Sequence, residues 1–301
     1  MKGTIAKFNR VVLAAGCCAA AALGAGGAQA VSTDAAIASV RVGELLVYSL
    51  VDSPQVFAKT LFEGIDAMPE RLEKMPEGKY AGVVKTYFVQ VDGRNVLFDA
   101  GWGTDFARKG GTRALLDKLG VKPESVTDVL ITHMDGDHIS GLFADGLAAY
   151  PKARLHVARL EYGAWMDGKE PKTQKNALAR RVSEAYKGRI KLFDYDEEVI
   201  KGITAKLAAG HTPGHTIYEI DSNGSGMTIV GDLMHVTPIQ MRWTDYSTAY
   251  DGNPEEASRV RESVLEQLSR SGRIMAGMHF EQMGKVRKAA GGGYEFVGQG
   301  R

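Results

Sequence analysis

The sequence between residues 131 and 142, ITHMDGDHISGL, places four potential metal ligands within six positions. Imidazole nitrogens and carboxylate oxygens are the groups that proteins offer to zinc and similar divalent ions. A tight turn sends alternate side chains to one side, and Gly136 leaves room for the chain to bend between them. The spacing therefore predicts a metal site that can serve two ions. The four side chains are His133, Asp135, Asp137 and His138.

More polar side chains come directly after apolar, strand-like segments elsewhere in the chain. Loops at strand ends are where enzymes of layered α/β construction place reactive groups. Such ends converge on one edge of a sheet, where buried charges need partners and a metal ion supplies one. Asp232 can bridge two ions, because a carboxylate has two oxygens. The side chains are Asp99 after VLF, His211 after KLAAG, Asp232 after TIVG and His279 after IMAGM.

These segments, taken in order, resemble the motifs of metallo-β-lactamase-fold hydrolases. The resemblance covers roughly residues 80–297 and rests on VLFDAG, HMDGDH, GHTPGHT, VGDLMH and AGMHF. The nearest branch is that of the secreted methyl parathion hydrolases and N-acyl-homoserine lactonases. The resemblance implies an α/β fold, a four-layer αββα sandwich with its metal site at the sheet edge.

The resemblance also implies a role for each side chain of the site. One metal ion is expected on His133, Asp135 and His211. The second ion is expected on Asp137, His138 and His279, with Asp232 joining the two. A metal-bound hydroxide then attacks the substrate, and Asp137 is the catalytic residue that helps to orient it.

Four residues are predicted to act around the ligands rather than on the metal. Asp99 is expected to orient the ligand loop by hydrogen bonding from behind. His215 and His235 are expected to stabilise the site in the same way, since the ligand positions are already filled. Trp165 lies in an insert where related enzymes build the wall above the metals, so it is a candidate for the substrate pocket.

Asp135 departs from the family pattern, which has a histidine at this position. In one interpretation the site keeps two ions, and the harder oxygen ligand favours iron or manganese over zinc. In another, the shorter Asp135 does not reach, and a weakly active mononuclear hydrolase remains on Asp137, His138 and His279. A non-functional relic is the third alternative.

The N-terminal residues 1–30 have the layout of a secretory signal peptide, with basic residues, an apolar stretch and an A-x-A cleavage signal. A membrane anchor or a lipoprotein cut before Cys17 are the alternatives. Both cysteines lie in this segment, so the mature chain has no thiolate ligand or cysteine nucleophile. We expect a bacterial periplasmic or secreted protein with one catalytic domain over residues 31–301.

Several local patterns predict secondary structure. AGVVKTYFVQV, DGRN and VLFDAG predict a β-hairpin around an Asp-Gly turn. Residues 111–120 predict a helix closed by Gly120, and residues 253–270 predict a helix with Asn253 as its N-cap and Pro254 at its first position. Residues 160–187 have a helical pattern, and residues 31–45 resemble a polar, Ala-rich lead-in.

The leading functional hypothesis is a secreted metal-dependent hydrolase of small ester-type substrates, either lactones or phosphotriesters. Two divalent ions are expected, with zinc favoured. A di-iron redox enzyme of the same fold is the alternative. The formal charge of +1 becomes −2 without residues 1–30 and gives no basic field for nucleic acid. The expected partner is a small molecule, with no membrane after signal cleavage and with a homodimer as a further expectation from the relatives.

Overall fold

A computed structural model describes residues 36–298 of the chain, except 106, 108 and 168–172. The predicted signal peptide lies outside the described residues. No helix within the described part of the chain is long and apolar enough to cross a membrane.

Two large sheets dominate the described residues, and each has seven strands. The strand order of the first sheet is β1-β2-β3-β4-β5-β8-β9, that of the second is β10 to β16 in sequence order, and β6 pairs with β7 in a small hairpin. The strands are β1 Ile37–Val42, β2 Leu45–Ala58, β3 Lys79–Val91, β4 Arg94–Phe98, β5 Asp128–Leu130, β6 Phe143–Ala144, β7 Leu147–Ala148, β8 Arg154–Ala158, β9 Ile190–Phe193, β10 Glu198–Ile200, β11 Ile203–Leu207, β12 Thr216–Ser222, β13 Ser225–Ile229, β14 Ile274–Ala276, β15 Gly284–Lys288 and β16 Tyr294–Gly298.

The α-helices connect or cover these strands. They are α1 Pro69–Leu72, α2 Thr112–Lys118, α3 Gly136–Ile139, α4 Arg159–Met166, α5 Thr173–Ala185, α6 Thr237–Gln240 and α7 Pro254–Ser271.

The core between the two sheets is built from the inward faces of both. Val89 and Leu130 of the first sheet lie in one buried cluster with Ile203 and Ile229 of the second. Side chains alternate across a strand, so neighbouring residues of β5 face opposite ways. Val129 accordingly belongs to the cluster on the outer face of the first sheet.

Helices cover the outer faces of both sheets. Leu116 of α2 and Val182 of α5 pack in the cluster on the first sheet. On the second sheet, Leu265 of α7 packs in a cluster with Met275 of β14. The order helix, sheet, sheet, helix confirms the predicted four-layer αββα sandwich.

The parallel strand pairs decide where the site forms. β4, β5, β8 and β9 run parallel in the first sheet, and β13 and β14 run parallel in the second. The carboxyl ends of parallel strands lie at one edge of a sheet, where ligands bind in open α/β sheets. The segments that follow β4, β5, β13 and β14 contain Asp99, His133, Asp232 and His279.

The local predictions of turns and helices are largely confirmed. β3 and β4 form the hairpin, and its turn residues Asp92 and Gly93 both have positive φ, 49° and 70°. Such a pair matches a type I′ turn, which suits the twist of the strands. Helix α2 ends before Gly120, whose φ is 75°.

The polar lead-in predicted over residues 31–45 contains a strand that the sequence pattern did not reveal. Residues Ile37–Val42 form β1 and pair antiparallel with β2. Val40 and Val42 are buried while Arg41 between them is exposed. This alternation is typical of a half-buried strand. It covers too few residues to be recognised in the sequence among the small residues around it.

Helix α7 begins as predicted, at Pro254, and the Asn253 side chain accepts a hydrogen bond of 3.2 Å from the backbone N–H of Glu256. We expect Asn253→Ala to lower the free energy of unfolding by about 1 kcal/mol, and Asn253→Gly by only a few tenths. Urea unfolding of both variants beside the wild type measures this. Equal losses for the two variants would show that the cap does not contribute in this way.

Candidate metal centre

The structure brings the predicted ligands together between the two sheets. Three groups of side chains place their ligand atoms within 4.8 Å of one another, and Asp232 belongs to two of these groups. All members of these groups are buried except Asp137, which is 19% exposed, and the neighbouring Asp135, which belongs to none of the groups, is 14% exposed. The groups are His133 with His211 and Asp232, Asp137 with His138 and His279, and Asp232 with His235 and His279.

Asp135 reaches the first of these groups despite its short side chain. Its Oδ2 lies 3.6 Å from His211 Nε2 and 3.9 Å from His133 Nε2. Two ligands at zinc-like bond lengths on one tetrahedral ion are about 3.4 Å apart. Asp135 occupies the N-cap position of α3, but its carboxylate does not cap that helix. The carboxylate is therefore aimed at the centre rather than at the backbone.

Each histidine of the first two groups is oriented by a contact to the ring nitrogen that faces away from the centre. His138 Nδ1 lies 2.7 Å from Asp99 Oδ2, and His279 Nδ1 lies 2.9 Å from the Val83 carbonyl oxygen. His133 Nδ1 lies 3.0 Å from Thr132 Oγ1. Such contacts behind a metal-binding histidine fix its ring and its tautomer.

Asp99 ties the ligand loop to the end of β4. Its carboxylate accepts hydrogen bonds from the Thr132 N–H at 2.8 Å and from the Thr132 hydroxyl at 2.7 Å, and it contacts His138. Its φ of 53° lies in the left-handed region, which a non-glycine residue adopts at a cost. The backbone turns sharply here, so that the carboxylate points back at the loop after β5.

Asp251 and Arg261 support His211 and were not predicted from the sequence. Asp251 Oδ1 lies 3.1 Å from His211 Nδ1, and Asp251 Oδ2 accepts a hydrogen bond of 3.2 Å from Arg261 Nη2. Arg261 is fully buried on α7, on the face that also carries Ala257 and Leu265. An arginine on the apolar stripe of a helix signals a buried acidic partner, and that signal was present in the sequence.

His215 holds the backbone of Asp232. His215 Nε2 accepts a hydrogen bond of 3.0 Å from the Asp232 N–H, and His215 Nδ1 donates to the Ala208 carbonyl oxygen at 3.0 Å. A Cβ on Gly231 would lie 2.5 Å from His215 Nε2, so this approach needs a glycine. Burial and the nearby His211 ring lower the pKa of His215 to about 3. His215 is therefore neutral, as an acceptor at Nε2 must be.

The charges at the centre call for a cation. Asp232 Oδ1 and His138 Nε2 are buried 3.3 Å apart, and neither has a hydrogen-bond partner among the described residues. Burial alone would raise the pKa of Asp232, but the imidazoles around it, His138 first, lower it well below the ordinary value. Burial likewise opposes the charged form of His138, yet carboxylates led by Asp232 raise its pKa. A divalent ion would satisfy both orphaned atoms, so the residues present fit a metal.

Comparison with known proteins decides the family. A model described as the metallo-beta-lactamase superfamily matches residues 80–279, about two thirds of the chain. The chain belongs to the metallo-beta-lactamase superfamily. The resemblance predicted from the five motifs is thereby confirmed.

Curated relatives within this superfamily match only part of the chain. An N-acyl homoserine lactonase of Bacillus cereus is 26% identical over 116 residues, which are 38% of this chain and 41% of that protein. A lactonase of Bacillus thuringiensis is 25% identical over the same length. The chain thus matches well under half of the length of these relatives.

Solved structures match nearly the whole chain. A hydrolase called AbOPH, of the beta-lactamase superfamily, is 25% identical with a TM-score of 0.80, over 90% of this chain and 99% of that one. AidC, described as a dizinc quorum-quenching lactonase, is 21% identical with a TM-score of 0.80, over 88% and 98%. At 21% identity, the similarity to AidC shows only that the two proteins share a fold.

His235 lies against two of the predicted ligands, Asp232 and His279. Its ring stacks on that of His279, with centroids 5.0 Å apart, and its Nε2 is 3.3 Å from Asp232 Oδ2. Unlike the other histidines of the groups, its Nδ1 is buried without a hydrogen-bond partner among the described residues. Its ring therefore lacks the support that orients the others.

The prediction that Trp165 lines the substrate pocket is wrong. Trp165 is fully buried and packs in the core on the first sheet. Its Nε1 donates a hydrogen bond of 2.7 Å to Glu161 Oε1. An aromatic residue at helical spacing packs inward here, as it does more often than not.

A different tryptophan borders the partly exposed side of the centre. Trp102 is half-buried, and a Cβ built on Gly136 would lie 3.4 Å from its ring. Gly136 separates the partly exposed Asp135 and Asp137 along the chain. The backbone of Trp102 is held by a hydrogen bond of 2.9 Å to Asp52 Oδ2. Trp102 is the last residue of the motif DAGW. Its spacing in the sequence did not distinguish it from aromatic residues that pack in the core.

The neutral His215 predicts how the metal-free protein responds to acid. Its folded pKa of about 3 lies below the ordinary 6.5, so the unfolded chain takes up the proton first. His215 does not oppose folding above pH 6.5, and it opposes folding by about 1.4 kcal/mol for each pH unit below 6.5, down to about pH 3. His215→Gln keeps an acceptor that does not titrate. Urea unfolding should give the wild type the steeper loss between pH 6.5 and 5, and equal slopes would contradict this assignment.

Proposed function

We propose that the chain is a metal-dependent hydrolase that opens small ester-type substrates, with lactones as the favoured class and phosphotriesters as the other. The superfamily assignment and the lactonase relatives support a metal-dependent hydrolase. The observation that carries the proposal is the pair of ligand groups on either side of one buried carboxylate, that of Asp232.

The proposed ligand sets follow the distances of the site. His133, Asp135 and His211 would hold the first ion, and Asp137, His138 and His279 would hold the second. Asp232 would join the ions, since its Oδ2 lies 3.7 Å from His133 Nε2 and its Oδ1 lies 3.3 Å from His138 Nε2.

Two bound divalent ions would lower the pKa of a water molecule and polarise the substrate's carbonyl or phosphoryl oxygen. The chain's own residues then orient the reactants. Asp137 is the partly exposed carboxylate of the second group, 3.6 Å from His279 Nε2. Its position suits accepting a hydrogen bond from the attacking water and so orienting it. Trp102 would shield the reacting atoms from solvent on the exposed side.

We propose zinc as the metal, because four of the seven proposed ligand residues are histidines. Asp135 adds a third carboxylate to those of Asp137 and Asp232. With a hydroxide, these negative charges balance two divalent ions. The added oxygen ligand also makes iron or manganese plausible competitors for the first position.

Removal of the metal should abolish the proposed reaction. Treatment with a strong chelator should reduce turnover of a panel of lactones and aryl phosphotriesters to background, and added Zn²⁺, Mn²⁺ or Co²⁺ should restore it, because the attacking water is activated only by the ions. Circular dichroism before and after chelation controls for unfolding. Full activity after exhaustive chelation would reject a metal-dependent reaction.

Asp135 variants test how many ions bind. Asp135→Ala should lower the metal content from about two ions per chain to about one, because the first ion loses a ligand, whereas Asp135→His should keep about two. Elemental analysis of protein purified without added metal gives both the number and the identity of the ions. Two ions retained by Asp135→Ala would exclude Asp135 as a ligand, and iron in the wild type would favour the redox alternative.

A further inference from the structure

Glu161 is a buried carboxylate that the proposed reaction does not use. It is the third residue of α4, between the exposed Leu160 and the half-buried Tyr162, yet only 1% of it is exposed. A charged side chain on a helix normally faces water, and one that is buried needs partners. What Glu161 contacts therefore shows its role.

Four hydrogen bonds reach its carboxylate. Oε1 accepts from the Met134 N–H at 2.9 Å and from Trp165 Nε1 at 2.7 Å. Oε2 accepts from the Thr212 hydroxyl at 2.7 Å and from the Gly214 N–H at 3.0 Å. Burial raises the pKa of Glu161, and these bonds counteract the rise because they favour the ionised form.

Three of these donors belong to the two loops that carry the ligands of the first proposed ion. Met134 lies between His133 and Asp135, and Thr212 directly follows His211. A Cβ on Gly214 would lie 2.2 Å from the Glu161 backbone nitrogen, so the second loop packs directly on the start of α4. One carboxylate thus joins two loops that are nearly 80 residues apart in sequence.

We propose that Glu161 is a positioning residue that fixes the distance between the His133–Asp135 loop and the His211 loop, and so allows the short Asp135 side chain to reach the first ion. This inference rests on the proposed function. Glu161 contacts neither ion nor substrate. It acts through the Met134 amide and the Thr212 and Gly214 donors, which set where the ligand-bearing backbone lies.

The four donors around Glu161 require a hydrogen-bond acceptor at both oxygens of its carboxylate. Of the four donors, only the Thr212 hydroxyl can also accept a hydrogen bond. In Glu161→Gln the amide NH₂ must face either the Gly214 N–H or the Met134 and Trp165 N–H groups. At least one hydrogen bond between Glu161 and a ligand loop is therefore lost, while the volume of the side chain is kept.

Zinc binding by Glu161→Gln tests the proposal, with Trp165→Phe as the matched control. Trp165→Phe also removes a hydrogen bond from the same carboxylate, but it leaves both loop contacts. Competition with a chelating dye measures zinc affinity and stoichiometry, and thermal unfolding measures stability. We expect Glu161→Gln to bind the weaker zinc ion about 10–100-fold less tightly, whereas Trp165→Phe keeps nearly wild-type affinity even if its Tm falls as far.

Two outcomes would overturn the positioning role. One is a Glu161→Gln protein that binds both ions as tightly as the wild type, and the other is equal loss of affinity in the two variants at equal loss of Tm. If Glu161→Gln does not fold, Thr212→Val removes only the hydroxyl contact, and wild-type affinity in that variant would equally reject the role. A wild type that takes up no zinc in this assay would reject the proposed function instead.

Discussion

The structure depends on one electrostatic constraint, namely that carboxylates and imidazoles buried at a common point must be neutralised together. Asp232 is buried among imidazoles, and its neighbours' charges shift its pKa in the direction opposite to that of burial. Removing charges from water costs several kcal/mol for each ion unless partners compensate. In the metal-free chain only protons on histidines such as His138 can compensate. A divalent ion would compensate the buried carboxylates with a higher charge and with directional bonds. Metal binding and the stability of this region are therefore coupled.

The rest of the fold positions these carboxylates and imidazoles around the centre. Parallel strands deliver most of these side chains, the antiparallel β11 precedes His211, and a further ring of hydrogen bonds fixes their orientation. Asp99, Asp251 and His215 belong to this ring, and each acts on a different ligand segment. Their side chains are buried, so each hydrogen bond is made in a medium of low dielectric and is costly to leave unmade.

The sequence allowed the fold to be predicted, and it identified most of the side chains that converge at the centre, but only part of what supports them. The ligands lie in short motifs after apolar runs, a pattern that is local and therefore visible. Glu161 and Asp251 each act on a residue far away in the chain, and nothing beside them in the sequence reveals that partner. Arg261 is an intermediate case, since its position on the apolar stripe of α7 was detectable. Trp165 was misassigned because helical spacing fits a core residue and a pocket residue equally well. Export remains a prediction from residues 1–30.

Asp135 shows how the buried charges of the centre and the hydrogen bonds around them act together. The family pattern has a longer, neutral imidazole here, and the shorter aspartate contributes to the same centre only if the backbone brings it closer. In the structure its oxygen lies 3.6 Å from His211 Nε2, which is a distance between ligands of one ion. That distance spans two loops, and the Glu161 carboxylate bonds to both of them. On our proposal, the shorter aspartate serves as a ligand because this distance is set by a residue outside the ligand set. Replacing imidazole with carboxylate would then alter the charge of the proposed centre, and with it the preferred metal, without dismantling the site.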